Sequence, residues 1–360
     1  MADLRSVVEG RRVLVTGHTG FKGSWLSLWL DSLGAVVSGL ALDPPTEPSM
    51  YVACGLDEIV DSTIADIRDL AKVEGAFERV RPEIVFHLAA QPIVRVSYEA
   101  PVDTFATNVM GTVNVLEAAR RAPSLRAAVV ITSDKCYENR EHDAGYCETD
   151  PLGGHDPYSA SKACAELVTA AYARSFFGGT DGTQAGVVSA RAGNVVGGGD
   201  WAEDRLVPDA ARALSAGAVV EVRNPTSVRP WQHVLEPLGG YLMLARLALE
   251  CDPGYAGAWN FGPKGGDVHT VRDVVDQLVS AWGSGSWRDV SGGPAPHEAA
   301  LLALDSSKAC TQLGWRSVMD LDEALGATAE WYKAFYAGED MRQLTLDQIA
   351  RYQLATEMAR

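Results

Sequence analysis

Residues 12–33 read R-V-L-V-T-G-H-T-G-F-K-G-S-W-L-S-L-W-L-D-S-L. Arg12–Thr16 is a short apolar run of the kind that forms a buried strand. Residues 23–33 carry Trp25, Leu26, Leu28, Trp29 and Leu33 on a helical stripe. Between the two, Gly17, Gly20 and Gly23 form Gly-x-x-Gly-x-x-Gly. Small residues here let the backbone turn tightly and approach a pyrophosphate, while the following helix aims its N-terminus at the negative charge. Glycines alone are weak evidence, because ordinary turns use them. Lying between a strand and a helix, they predict a dinucleotide site.

The pattern continues outward. Residues 35–42, 84–88 and 127–132 are further strand-like runs, and 186–190 reads as another sheet strand. Helix-period segments at 68–80 and 101–121 separate them. Strands alternating with helices predict right-handed crossovers and a parallel sheet, and continuous apolar runs fit a sheet covered on both faces. The expected fold is α/β: a Rossmann-like, doubly wound parallel sheet with a smaller mixed α/β substrate-binding domain. The dinucleotide domain is placed at 1–186, with returns to the sheet at roughly 230–262, and the substrate domain mainly at 187–360. Residues 197–201 and 223–231 read as loops, and 235–250, 271–282 and 322–335 as helices. A polar helix of unassigned purpose follows Glu339.

Composition bounds the partners. The chain has 360 residues, 47% hydrophobic and 22% charged, with 31 Lys+Arg against 47 Asp+Glu and a net charge of −16. This balance argues against nucleic-acid binding and polybasic membrane docking, though a few local cations can still hold an anionic substrate. The six cysteines form no Cys-x-x-Cys pair and no zinc-ligand spacing, so no metal is expected. Scattered thiols, a charged N-terminus without the apolar core of a signal peptide, and no apolar run near ~18 residues predict a cytoplasmic protein.

Asp43 ends the second strand. A carboxylate there can accept hydrogen bonds from an adenosine ribose and would repel a 2′-phosphate, which favours NAD over NADP. Equally, Asp43 can simply open the Asp-Pro-Pro turn. Asp66 and Ile67 are positioned to meet the adenine edge, and Asp66 could instead cap a helix starting near Arg68. Tyr158 and Lys162 stand four apart and share one face of a helix. An ammonium there favours phenolate and lowers the phenol pKa. A tyrosine so tuned can take a proton from a sugar hydroxyl while hydride leaves the same carbon.

With the glycine loop, His87–Gln91 (H-L-A-A-Q), Asn108 with Gly111-Thr112, and Tyr158/Lys162, nearly the whole chain resembles the extended short-chain dehydrogenase/reductase superfamily. The resemblance implies NAD contacts from Gly17, Thr19, Gly20, Phe21, Lys22, Gly23, Asp43, Asp66, Ile67, Leu88, Ala89, Ala90, Gln91, Asn108, Tyr158 and Lys162. It places Gln91 near the sugar as well. Thr132-Ser133-Asp134-Lys135 falls at the carboxyl edge of the sheet and resembles the CDP-glucose branch of the 4,6-dehydratases, where Lys follows Asp. Residues 17–26, 229–238, 259–263, 297–299 and 304–309 are similar to that branch too. The charged tract 137–147 departs from it and lacks the expected Trp.

That resemblance implies a set of roles. Tyr158 removes the C4 hydroxyl proton as hydride passes to NAD, and Ser133 hydrogen-bonds the C4 oxygen. Asp134, with a raised pKa, protonates the leaving C6 hydroxyl. Lys135 takes the acidified C5 proton, or else stays charged and holds Asp134. Hydride then returns to C6, with reprotonation at C5, so NAD is regenerated each turnover. Asn194, Arg205 and Arg229 are candidate substrate contacts, although Arg205 could equally be a solvated surface residue. His233 reads as structural, and Trp201 as pocket or core. The implied partner is a nucleotide-sugar substrate, and the implied assembly a homodimer or a tetramer of dimers. Three other readings remain open: a dTDP- or GDP-sugar dehydratase, a sugar-nucleotide 4-epimerase, and a non-catalytic dinucleotide-binding protein.

Overall fold

The computed structural model describes residues 4–141, 144–177, 184–251, 256–263, 269–292 and 301–359. Seven strands build the main sheet: β1 Arg12–Thr16, β2 Val36–Ala41, β3 Asp61–Ile64, β4 Ile84–His87, β5 Ala127–Ile131, β6 Gly186–Ala192 and β7 Gly257–Phe261. All pair in parallel, in the order β7-β6-β5-β4-β1-β2-β3. Thr16 at the end of β1 stands opposite Leu40 of β2 and His87 of β4. Successive strands run outward from β1 on one side and then resume from β4 on the other. The crevice between β1 and β4 is therefore the switch point, where ligands of such sheets bind.

Both faces of the sheet are buried, as continuous apolar strands require. Val13 and Val15 of β1, Ile84 and Phe86 of β4, and Ala127 and Val129 of β5 face one core. It is filled by Trp25, Leu26 and Trp29 of the Phe21–Ser32 helix and by the Leu235–Glu250 helix. Leu14, Val85, Ala128 and Val130 point the other way, onto Val73 and Phe77 of the Leu70–Val80 helix and Val115 and Leu116 of Gly111–Arg121. Each fully buried Val, Leu or Phe contributes about 1.5–3 kcal/mol.

Three local details differ from the sequence expectation. The helix expected from 68 begins at Leu70, because Asp69 caps it by accepting from the backbone N–H of Ala71 and Lys72. The helix expected over 101–121 is divided: Pro101–Phe105 and Gly111–Arg121 flank a π-helical turn, Ala106–Met110, that contains the buried Asn108. The loop-like stretch 223–231 contains a short strand, Val228–Arg229, paired antiparallel with His269–Thr270.

The helix after Glu339 is observed as Met341–Met358, and it is not a solvated tail. Met341, Ile349 and Tyr352 are buried. Arg342 donates to the carbonyls of Cys54 (2.7 Å) and Gly55, and Tyr352 packs edge-on against Trp29 at 5.7 Å. The helix thus ties the segment that follows β2 to the body of the fold.

Candidate active site

The loop after β1 forms a cradle with no room for side chains. Gly17 lies in the left-handed region (φ +78°), and a Cβ there would stand 2.7 Å from the backbone N of Ala89 across the crevice. A Cβ on Gly23 would meet the carbonyl O of Gly17 at 2.1 Å. Gly20 N–H donates to that carbonyl at 3.1 Å, and Thr19 Oγ1 fixes the loop to the carbonyl of Leu42 at 2.8 Å. A bare backbone entering a helix N-terminus fits a dinucleotide pyrophosphate. Gly23→Ala is accordingly expected to push the helix off the loop, costing about 1–3 kcal/mol in stability and most of the NAD affinity. Thermal unfolding and NAD titration of the variant check both, and wild-type affinity would contradict the cradle.

The other expected cofactor contacts lie along the same edge. Leu88, Ala89 and Ala90 are half-buried at the end of β4, and Asp43 is exposed beyond β2. Asp66 is already engaged: it accepts from the backbone N–H of Arg68 at 2.8 Å and pairs with its guanidinium, which holds the carboxyl below its ordinary range. Ile67 is buried against Gly111, where a Cβ would meet it at 2.4 Å. Gln91 is likewise occupied. Its amide donates to Thr104 Oγ1 (2.9 Å) and accepts from Ile93 N–H (2.6 Å). Asn108 bridges the carbonyl of Gln91 (3.0 Å) to Ser161 Oγ (2.8 Å), joining the end of β4 to the helix that carries Tyr158.

That helix, Pro157–Phe176, starts where its sequence dictates. Asp156 caps it by accepting from Ser159 N–H at 2.9 Å, and Pro157 occupies the first turn. Tyr158 and Lys162 are both buried. Opposite them, Ser133-Asp134-Lys135 leaves the end of β5 in a tight turn. Ser133 Oγ donates to Asp134 Oδ1 at 2.9 Å and accepts from Lys135 N–H at 3.2 Å. Asp134 is 2% exposed, and its Oδ2 has no hydrogen-bond partner among the described residues. A Cβ on Gly193 would lie 2.7 Å from that oxygen. Burial pushes the Asp134 carboxyl up, against the opposing pull of Lys135, Ser133, Arg229 and Lys22.

The phenol of Tyr158 differs from expectation. Burial pushes it up to about 12; a hydrogen bond with Ser133 and the charge of Arg205 pull down, while Asp134 and Asp156 push up. Lys162, expected to lower it, directs its ammonium to the carbonyl of Ile131 at 3.4 Å and is itself pushed down to about 8 by burial. Spacing on a helix set which side chains share the site. It could not set the desolvation that dominates their titration.

Of the expected substrate contacts, Arg229 is buried and donates to the carbonyl of Val228 at 2.9 Å. Arg205 pairs with Asp200 at 2.7 Å and acts electrostatically on Tyr158, so it is not simply a solvated surface residue. Asn194 is half-buried, directly after Gly193. His233 is fully buried against Trp25 and pushed down to about 3, in keeping with a structural role. Trp201 lies in an aromatic core with Trp331, Tyr332 and Phe335. Residues 297–299 lie outside the described residues.

Sequence reasoning missed a buried group near the Ser133–Lys135 turn, Glu166 paired with Arg191. It also missed the reach of Lys22. Read as a cofactor contact, Lys22 interacts electrostatically with Asp134, Lys162, Arg205 and Asp200, and burial pushes it down to about 8. Its place in the glycine loop gave no signal of that reach.

Residues 13–251 match the model of the NAD dependent epimerase/dehydratase family. A CDP-glucose 4,6-dehydratase from Salmonella typhimurium is 51% identical over 350 residues, covering 97% of this chain and 98% of its own. Among solved structures, a UDP-glucose 4-epimerase from Thermus thermophilus in complex with NAD aligns with TM-score 0.73 at 28% identity, over 89% of this chain and 99% of its own. A dTDP-glucose 4,6-dehydratase from Streptomyces venezuelae with NAD bound aligns with TM-score 0.75 at 24% identity, over 91% and 99%. The fold is common to both reactions, so the choice between them rests on the side chains of the site.

Proposed function

The chain belongs to the NAD dependent epimerase/dehydratase family, and on that premise we propose that it dehydrates CDP-D-glucose to CDP-4-keto-6-deoxy-D-glucose. One observation carries the reading beyond the family: a buried carboxyl, Asp134, has one oxygen unpartnered among the described residues and is flanked in sequence by Ser133 and Lys135. An epimerase returns hydride to C4 and needs no such acid. A 4,6-dehydratase must protonate a leaving hydroxyl.

NAD, when bound, supplies a hydride acceptor for C4 and returns that hydride to C6. The remaining steps belong to the chain. Tyr158 takes the C4 hydroxyl proton, and Ser133 hydrogen-bonds the C4 oxygen as it becomes a ketone. The ketone acidifies the C5 proton, which Lys135 removes, and Asp134 protonates the C6 hydroxyl as it leaves; once hydride has reached C6, the resulting enolate takes a proton back at C5. The burial that raises the Asp134 carboxyl suits an acid. Arg205, Arg229 and Asn194 receive the nucleotide diphosphate through charge-assisted and neutral hydrogen bonds. Asp43 meets the adenosine ribose and favours NAD over NADP.

Turnover of CDP-, dTDP-, UDP- and GDP-glucose under one set of conditions tests the substrate. The highest kcat/KM is expected for CDP-glucose, and a preference for dTDP- or GDP-glucose would replace it.

The working form is a homodimer in the cytoplasm. None of the described helices is long and apolar enough to cross a membrane. The Pro101–Phe105 and Pro157–Phe176 helices pack together and expose Val102 (80%) and Leu167 (58%), and Met110 is 51% exposed. Such a face suits a second copy of the same helices. Leu167→Glu should shift light-scattering mass toward the monomer, whereas an unchanged mass would place the interface elsewhere.

A further inference from the structure

Behind the catalytic turn lies a buried ion pair that the reaction does not touch. Glu166 and Arg191 each have 3% of their side chain exposed, with Arg191 Nη2 donating to Glu166 Oε2 at 2.8 Å. Glu166 Oε2 also accepts from Ser189 Oγ at 2.8 Å, and Oε1 from the hydroxyl of Thr132. Arg191 continues outward to the hydroxyl of Tyr137 at 2.7 Å, which donates to Asn260 Oδ1 at 2.8 Å.

Two placements give this pair a task. Glu166 follows Lys162 by four residues, so the two side chains share one helix face. Both also grip the same strand end: Lys162 holds the carbonyl of Ile131, and Glu166 holds the side chain of Thr132. The next residues are Ser133, Asp134 and Lys135. A buried ion pair adds little stability for its own sake, because desolvation offsets most of its attraction.

We propose that Glu166, with Arg191 as counter-ion, is a positioning residue that holds Lys162 charged and fixes the end of β5 for the C4 oxidation. This rests on the function proposed above. Among the described residues, the titratable groups that interact with Lys162 are Glu166 on its own helix, Cys136 of the turn after β5, His87 of β4 and Lys22 at the start of the Phe21–Ser32 helix. His87 is pushed down to about 3, chiefly by burial, and the Cys136 thiol is pushed far up, so neither carries charge near neutrality. Lys22 repels Lys162. Glu166 is the carboxylate that opposes the desolvation of the ammonium. Lys162 is depressed to about 8, and without Glu166 it would fall further and lose its proton at lower pH.

The test uses the double variant Glu166→Gln/Arg191→Met. Removing both charges avoids the uncompensated ion that would unfold a single variant. The Lys162 amine is titrated by 13C-lysine NMR in the protein without cofactor or substrate, with Lys162→Met assigning the signal. Its midpoint should fall by about one pH unit, and the alkaline limb of C4 oxidation should move with it, about tenfold slower on that limb. KM should change little. Arg191→Lys, which keeps both charges, should retain the wild-type midpoint. If the double variant does not fold, Glu166→Asp should move the midpoint the same way by less. A folded variant with unchanged midpoint and limb overturns the proposal. Wild-type protein that fails to turn over CDP-glucose overturns the functional reading instead, and leaves the NMR titration to decide the role of Glu166.

Discussion

Tyr158→Phe is expected to slow C4 oxidation by roughly 10²–10⁴-fold, the usual contribution of a positioned general base. The ring is buried at the start of the Pro157–Phe176 helix, so phenylalanine keeps its packing and the variant should fold. What is lost is the phenol oxygen that hydrogen-bonds with Ser133 and that, in the proposed reaction, takes the C4 proton. Neither Ser133 nor Lys162 can replace it: Ser133 donates to Asp134 at 2.9 Å, and Lys162 faces the carbonyl of Ile131 at 3.4 Å. Single-turnover appearance of reduced cofactor measures the step directly. A rate within a few-fold of wild type would remove Tyr158 from the chemistry.

Asp134→Asn is expected to separate the two halves of the reaction. Asparagine keeps the shape of the carboxyl and can still accept the hydrogen bond from Ser133, so C4 oxidation should stay within a few-fold of wild type. An amide cannot donate a proton as an acid, so loss of the C6 hydroxyl should slow by roughly 10²–10⁴-fold. The 4-ketoglucose nucleotide should then accumulate with its C6 oxygen retained. Lowering the pH should not rescue the variant, because no titratable group remains at that position. Water loss at the wild-type rate would assign the acid elsewhere.

What could be read in the sequence was set by local rules. β1, β4 and β5 are buried on both faces, so each is a continuous apolar run that announces itself. β3 (Asp61–Ile64) sits at the sheet edge, three of its four residues exposed, and its D-S-T-I carries no such run. The π turn over Ala106–Met110 was hidden because its residues suit an ordinary helix, and the hydrogen bond that its Asn108 makes to Ser161 reaches 53 residues away in sequence. The glycine cradle and the Tyr158–Lys162 spacing were legible because both depend on backbone geometry within a few residues. The titration of those groups was not, because it follows from a cleft assembled by distant segments. Arg191 shows the limit most clearly. Asn194, three residues on, is a candidate substrate contact, yet the Arg191 side chain turns inward to Glu166, 25 residues earlier.

The most direct measurement is mass spectrometry of CDP-glucose deuterated at C4, incubated with the protein and NAD. The expected product is lighter by one water and carries the deuterium at C6, since the proposed dehydration would transfer the C4 hydride to C6. Product of unchanged mass, inverted at C4 and still carrying its deuterium there, would make the chain an epimerase and contradict the role of Asp134.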